Sequence, residues 1–374
     1  LTAASQAGLS TSINVDRSRI NLQVSGFHEK ALFLSQKILK EMPSAMPTQE
    51  EFNIYTNMLK KKYADEETEL PLHQAKEVLN AAIHSERITK KEKLGALSTL
   101  SYEDLAQFQK SLFTKTYLEA FFGGNLSIKE CELAWLEFAY ALQSDPYPRS
   151  EQTTPQVLRL EETPLFIQKK TKTQGNAAIL LIEASDYTPI KRAAQAILTP
   201  ALHETFFNEL RTKQKTGYIA FADSQEIEGV LQYICAVQSN SHEPEELLYR
   251  FELFLENFVQ DLQTIIPQER FESLKKGAIA SLSHRCCNIQ DKTSLFDLLA
   301  FQYKAQFDRL EQRIAIIEKL SYPAFCDIVH EALSRDNQKR LAILYQGRIK
   351  KPFAYEEISP QNLALFKKDP PTRN

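Results

Sequence analysis

The chain repeats itself over a long period, and that repetition limits its fold more than any single motif. Gly8-Leu9 leads into a short alternating stretch to Val15, a second strand pattern over 20–24, and a helical pattern from about Glu29. Later the same order returns: Gly217-Tyr218, an alternating stretch to Ala222, a strand pattern over 230–238, and a helical pattern from about Glu243. Leu100-Ser101-Tyr102 opens a helix that leads to a strand pattern over 118–122 and then Gly123-Gly124. Leu320-Ser321-Tyr322 opens a helix that leads to 341–345 and then Gly347. Letters, element types and order agree together, which predicts two related units and excludes a short-period solenoid.

The break between the copies falls at 143–156, where Pro146, Pro148 and Pro155 stand among polar and charged residues. Such a stretch cannot continue a helix. It divides the 374 residues into 1–150 and 151–374, in keeping with the size of two ordinary domains. The helical reading rests on period. Leu247, Phe251, Leu255 and Phe258 form one stripe, with Leu248 and Leu262 beside it and Pro244 in the first turn. Ala31, Leu34 and Ile38 form a similar stripe in the first copy. The predicted fold class is α+β: two homologous domains, each an antiparallel-rich mixed sheet covered by helices mainly on one face. With only 10 glycines, the chain favours helix over a turn-rich all-β fold.

Composition narrows the partners. Lys+Arg 45 against Asp+Glu 48 gives a net charge of -3, so no basic excess points to nucleic acid or an anionic membrane. Lys60-Lys61-Lys62, Lys90-Lys91 and Lys169-Lys170 read as solvated faces, and 367–374 as a frayed terminus. The longest apolar run, 177–182, is strand-sized and far short of the ~20 residues that span a bilayer. The first residue is Leu1, with no basic and apolar leader after it, so the chain reads as a piece that starts mid-fold, with its compartment unknown. Cys131, Cys235, Cys286, Cys287 and Cys326 are odd in number and include a neighbouring pair, which predicts reduced thiols rather than a disulfide framework.

One segment concentrates candidate chemistry. Thr199 as N-cap and Pro200 as first helical residue predict a helix start there, with Leu202, Phe206 and Leu210 as its buried stripe. Phe207 and Arg211, four apart, share an adjacent stripe. Gly217 then supplies the turn into a strand in which Ile219 and Phe221 should face the helices. Tyr218 would project from the opposite face, with small Ala220 and Ala222 leaving space around its hydroxyl. A guanidinium and a phenol at one open face could donate hydrogen bonds to a carbonyl oxygen, as an oxyanion stabiliser must. On spacing alone the bland reading wins: an arginine at a helix end is usually solvated, and a tyrosine in a strand usually packs.

The run from Phe207 through Leu210-Arg211-Thr212-Lys213, followed by three residues and Gly217-Tyr218, resembles the C-terminal signature of the pitrilysin/insulinase family of zinc metallopeptidases. The resemblance continues through 235–239 and the helix after it, and through Ala7-Gly8-Leu9-Ser10 with Val24-Ser25-Gly26-Phe27, so that it spans nearly the whole chain. It implies four homologous α+β domains in two halves that close like a clamshell on peptide substrates. This chain looks like the C-terminal half. Residues 1–150 would then be the third domain, trimmed at its front and structural, and 151–374 the fourth. The family's arginine and tyrosine, which reach across to the zinc site and contact the scissile carbonyl, carry over to Arg211 and Tyr218. Phe207 matches a residue lining the pocket beside the scissile bond. Thr216 departs from the leucine that often precedes the Gly-Tyr pair. The first copy holds Thr2 and Leu9 at the matching places, and neither could do this chemistry.

Family chemistry needs H-x-x-E-H, in which two histidines bind zinc and the glutamate activates water. The histidines here are His28, His73, His84, His203, His242, His284 and His330, and no two stand four apart. His203-Glu204 would need a second histidine at Phe207, and His284 with Cys286-Cys287 is poorly placed to close one tetrahedral site. The expectation is a half-enzyme that holds no metal, is inactive alone, and meets peptide substrates together with an N-terminal half of the same polypeptide that carries the zinc. A non-catalytic scaffold or binding subunit of the same fold is the competing reading, and an independent helical interaction module a third. The compartment would be periplasmic or cytoplasmic in a bacterium.

Overall fold

The structure, a computed structural model, describes residues 2–16, 19–27, 30–152, 155–283 and 288–348. The expectations for His28, for His284 with Cys286-Cys287, and for the terminal residues from 349 lie outside them. In the first copy, β1 (Ser10–Asp16) and β2 (Arg19–Ser25) form an antiparallel hairpin in which Ile13 pairs with Leu22. The helices Ala31–Glu41 and Ile128–Leu142 bury Leu39, Ala134, Phe138, Ala141 and Leu142 into a small core that Leu22 also meets. A short parallel pair, β3 (Lys115–Thr116) and β4 (Asp145–Pro146), ties the ends of this unit together.

The second copy is built on a five-stranded mixed sheet. Its strands are β5 (Leu165–Gln174), β6 (Asn176–Asp186), β7 (Ile219–Ile227), β8 (Val230–Ser239) and β9 (Arg340–Arg348), in the order β5-β9-β6-β8-β7. β5 and β9 run parallel, and the other pairs are antiparallel. The apolar run 177–182 lies in β6, the middle strand, buried on both faces as a continuous apolar strand should be. Ala178, Leu180 and Ile182 face the helices Pro189–Phe206, Pro244–Gln260 and Tyr322–Leu333 in the main core. The stripe of Leu247, Phe251, Leu255 and Phe258 is fully within it.

Ala177, Ile179 and Leu181 point the other way, onto Leu72, Ala75, Val78, Leu79 and Ile83 of the helix Pro71–Ile83. A helix from the first 150 residues thus covers the second sheet's other face. The chain between them is strapped down. Ser85 and Leu158 donate backbone hydrogen bonds to Gln156 and Ile83, and the buried Glu183 carboxylate accepts from Arg159 (2.7 and 2.9 Å) and from the Leu160 N–H (2.9 Å).

Two expectations about where elements lie need correction. The helix does not start at Thr199-Pro200 but at Thr188-Pro189, the same Thr-Pro signal one helix-length earlier. The Thr188 hydroxyl accepts from the Lys191 N–H at 3.3 Å. Pro200 sits inside the helix, and the total burial of Ala201, Leu202 and Phe206 offsets the hydrogen bond it lacks. The second is 118–122, which forms no strand. Its counterpart β9 is a strand because it lies between β5 and β6, whereas 118–122 has no neighbouring strand among the described residues. Leu118 and Phe122 pack instead against the small first core. Cys131, Cys235 and Cys326 are free thiols, and burial pushes the Cys235 thiol up to about 12.

Candidate substrate-contact site

Along the Pro189–Phe206 helix and its continuation over 207–213, polar and aromatic residues recur every four positions: Gln195, Thr199, His203, Phe207 and Arg211. They run beside β7, which is an edge strand, and fasten to it stepwise. Gln195 donates to the Gln225 and Gln232 carbonyls (3.3 and 3.0 Å). Thr199 donates to the Gln195 carbonyl at 2.7 Å and therefore accepts from Ser224 at 2.6 Å. His203 Nδ1 lies 2.9 Å from the Ala222 carbonyl. Since a carbonyl only accepts, Nδ1 carries the proton.

From Phe207 to Lys213 the helix widens into a π-helix, a local irregularity often found at functional sites. Gln214 N–H reaches back five residues to Glu209, and the Thr216 N–H and hydroxyl both donate to the Leu210 carbonyl (3.0 and 2.8 Å). Thr216, the departure from the family pattern, is fully buried and closes the π-helix with its hydroxyl, which a leucine could not do. Gln214 also donates to Glu209 (3.0 Å) and accepts from Arg250 (2.8 Å). Gln214 and then Lys213 hold the Glu209 carboxyl below the usual range. Gly217 is required here for space. A Cβ would come within 1.9 Å of the Gln238 carbonyl oxygen, while the left-handed backbone of the turn falls on Lys215.

This scaffold brings the three sequence-predicted residues together. The Arg211 guanidinium lies 4.8 Å over the Phe207 ring and 4.8 Å over the Tyr218 ring. Cation–π attraction on two sides fixes its plane without using its N–H groups. Among the described residues neither the guanidinium nor the Tyr218 hydroxyl has a hydrogen-bond or ion-pair partner. Tyr218 is 81% exposed, and Arg211 and Phe207 are half-buried. Beneath them His203 stacks on Phe207, with centroids 6.5 Å apart and planes 15° apart. Sequence reading took His203 only as a broken metal motif. The four-residue spacing from His203 to Phe207 and Arg211 was the signal for its place in the stack.

The faces of β7 differ from the expectation. Ala220 and Ala222 are buried beneath the large helical layer, while Ile219 and Phe221 pack on the opposite face toward the Pro71–Ile83 helix. The Pro189–Phe206 helix approaches this edge closely, and only alanine-sized side chains fit between. Tyr218 shares their side but precedes the strand, past the end of the core. Its exposure comes from that position.

A metal does not fit this neighbourhood. Among the described residues no three His, Cys, Asp or Glu side chains group as ligands, and the position a second histidine would need is the stacked Phe207. Also among the described residues, no helix is long and apolar enough to cross a membrane.

Residues 1–96 match the family model described as the middle or third domain of peptidase M16, and residues 197–296 match PQQ synthase PqqF-like, C-terminal lobe domain 4. The fold is similar to that of the crystal structure of pitrilysin, with a TM-score of 0.78 and 18% identity over 96% of this chain and 38% of that one. The chain belongs to the pitrilysin/insulinase family. It corresponds to the C-terminal half of that family's architecture. Nardilysin-like from Arabidopsis thaliana is 28% identical over 78% of this chain and 29% of its own length. Insulin-degrading enzyme from Drosophila melanogaster is 22% identical over 90% of this chain and 34% of its own length. This insulinase-family chain therefore spans about a third of the curated relatives it matches. The family is one of zinc metallopeptidases that act on peptide or protein substrates.

Proposed function

We propose that this chain is the substrate-closing half of a zinc metalloendopeptidase, with 1–150 and 151–374 as the third and fourth family domains. The zinc would belong to an N-terminal half of the same polypeptide. The observation that carries the reading is the Arg211 guanidinium lying over both the Phe207 and Tyr218 rings, with its N–H groups and the neighbouring hydroxyl unengaged among the described residues. When water attacks a peptide carbonyl, negative charge gathers on its oxygen. Donors already oriented toward that oxygen lower the barrier without reorganising. Arg211 and Tyr218 are those donors, and Phe207 is the apolar wall for the side chain next to the scissile bond. The chain alone binds peptide but does not cleave it.

The test is reconstitution. Mixing the chain with the separately produced zinc-bearing half restores peptide cleavage, and Tyr218→Phe lowers kcat by ~10²-fold, the order expected for one oxyanion donor. The phenylalanine ring can keep the stack on Arg211, so folding is preserved. Unchanged turnover would remove the catalytic role, and failure of any pairing to cleave would favour a binding or assembly subunit.

A further inference from the structure

Arg211 and Tyr218 sit on different elements, so their separation is set by how the helix and its π extension lie against β7. On the turn side the distance is held by Thr216, whose N–H and hydroxyl grip the Leu210 carbonyl. On the helix side it is held by His203, whose Nδ1–H reaches the Ala222 carbonyl at 2.9 Å. We infer that His203 is a positioning residue for the Arg211–Tyr218 pair, fixing the gap between the two elements and seating Phe207 under the guanidinium. The inference rests on the roles proposed above for Arg211 and Tyr218.

Three features support it. Ala222 belongs to the edge strand, so its outward carbonyl has no strand partner among the described residues, yet the residue is wholly buried. A buried carbonyl without a donor costs roughly 1–3 kcal/mol, and His203 is the side chain that supplies one. The same imidazole stacks on Phe207 at 6.5 Å, and Phe207 carries Arg211 at 4.8 Å. The hydrogen bond fixes the gap between helix and strand, and through it the place of the Phe207 ring beneath the guanidinium. Finally, His203 is exposed, so its place at this edge is not that of a core-filling side chain.

The experiment separates the bond from the stack. His203→Phe keeps an aromatic ring over Phe207 but loses the donor. His203→Asn loses the ring but keeps an N–H donor at the Nδ1 position, and His203→Ala loses both. In the isolated chain, the arginine Nε–Hε resonance of Arg211 is shielded by the two rings it lies over. We expect His203→Ala and His203→Phe to move it toward the unstacked value and His203→Asn to leave it close to wild type. In the chain joined to its zinc-bearing half, His203→Ala lowers kcat by roughly 10–100-fold with little change in KM, as a misoriented donor pair should, and His203→Asn recovers most of it. An Arg211 resonance indifferent to His203→Ala, or a phenylalanine variant as good as the asparagine one, overturns the inference. A resonance that moves as expected while turnover stays constant upholds the positioning and instead removes the catalytic reading of Arg211 and Tyr218.

Discussion

The two copies of one element order end in different structures. In the second, the hairpin β7–β8 joins three more strands and both faces of the sheet are buried. In the first, the equivalent hairpin β1–β2 stands as a two-stranded sheet, with Ile13 51% exposed. β6 makes the difference. That strand pairs with β8 on one side and β9 on the other, and no strand in the described first copy does the same. Similar local sequence therefore yields β9 in one copy and irregular backbone over 118–122 in the other. Local pattern licenses a strand, and a neighbour makes it.

Truncation of the sheet's centre should give the largest contrast. Ile179→Ala, in β6, is expected to destabilise the second copy by about 4 kcal/mol, whereas Ile13→Ala in the exposed hairpin costs about 0.5 kcal/mol. Denaturant midpoints would check this, and equal losses would mean that the β1–β2 hairpin is buried in solution. Next come the matched glycines. Gly217→Ala drives a Cβ into the Gln238 carbonyl and should cost about 3 kcal/mol. Gly8→Ala has open space around it and meets only its φ of +76°, so about 1 kcal/mol is expected.

The smallest effect is in acid, and it singles out the first copy. Its helices Gln49–Ala64, Lys90–Thr99, Tyr102–Leu112 and Ile128–Leu142 all begin with capping boxes. The Thr89, Ser101 and Ser127 hydroxyls hold the carboxyls of Glu92, Asp104 and Glu130 below their ordinary values, and the Thr48 N–H does the same for Glu51. A carboxylate whose folded-state pKa is lowered stabilises the fold fully above its unfolded pKa and loses that contribution as pH falls through the folded value. Amide-exchange protection factors at these four helix starts, taken relative to the intrinsic rate at each pH, should therefore fall between about pH 5 and pH 3. The start of Pro189–Phe206, capped by the uncharged Thr188, should not change. A parallel fall in protection at all five would show global loosening instead.

Contacts between residues close in sequence are legible in the chain itself, whereas approaches between distant elements are not. Hairpins, the Leu247–Phe258 stripe and the meeting of Phe207, Arg211 and Tyr218 follow from neighbours close in sequence, so period and turn residues reveal them. The start at Thr188 was hidden because a second Thr-Pro at 199–200 carries the same signal, and only burial tells them apart. Which face of β7 meets the thick helical layer depends on how near a helix comes, which alternation does not encode. The π-helix and the tie from His203 to Ala222 depend on an approach of helix to strand that no local spacing describes.

The helix Pro71–Ile83 has a practical meaning for anyone dividing this polypeptide. A gene cut at the proline-rich segment would send the lid of the downstream sheet away with the upstream fragment. Ile179, Leu181 and Ile343 would then meet water on one side, and the downstream piece would be expected to clump unless the upstream piece were supplied beside it.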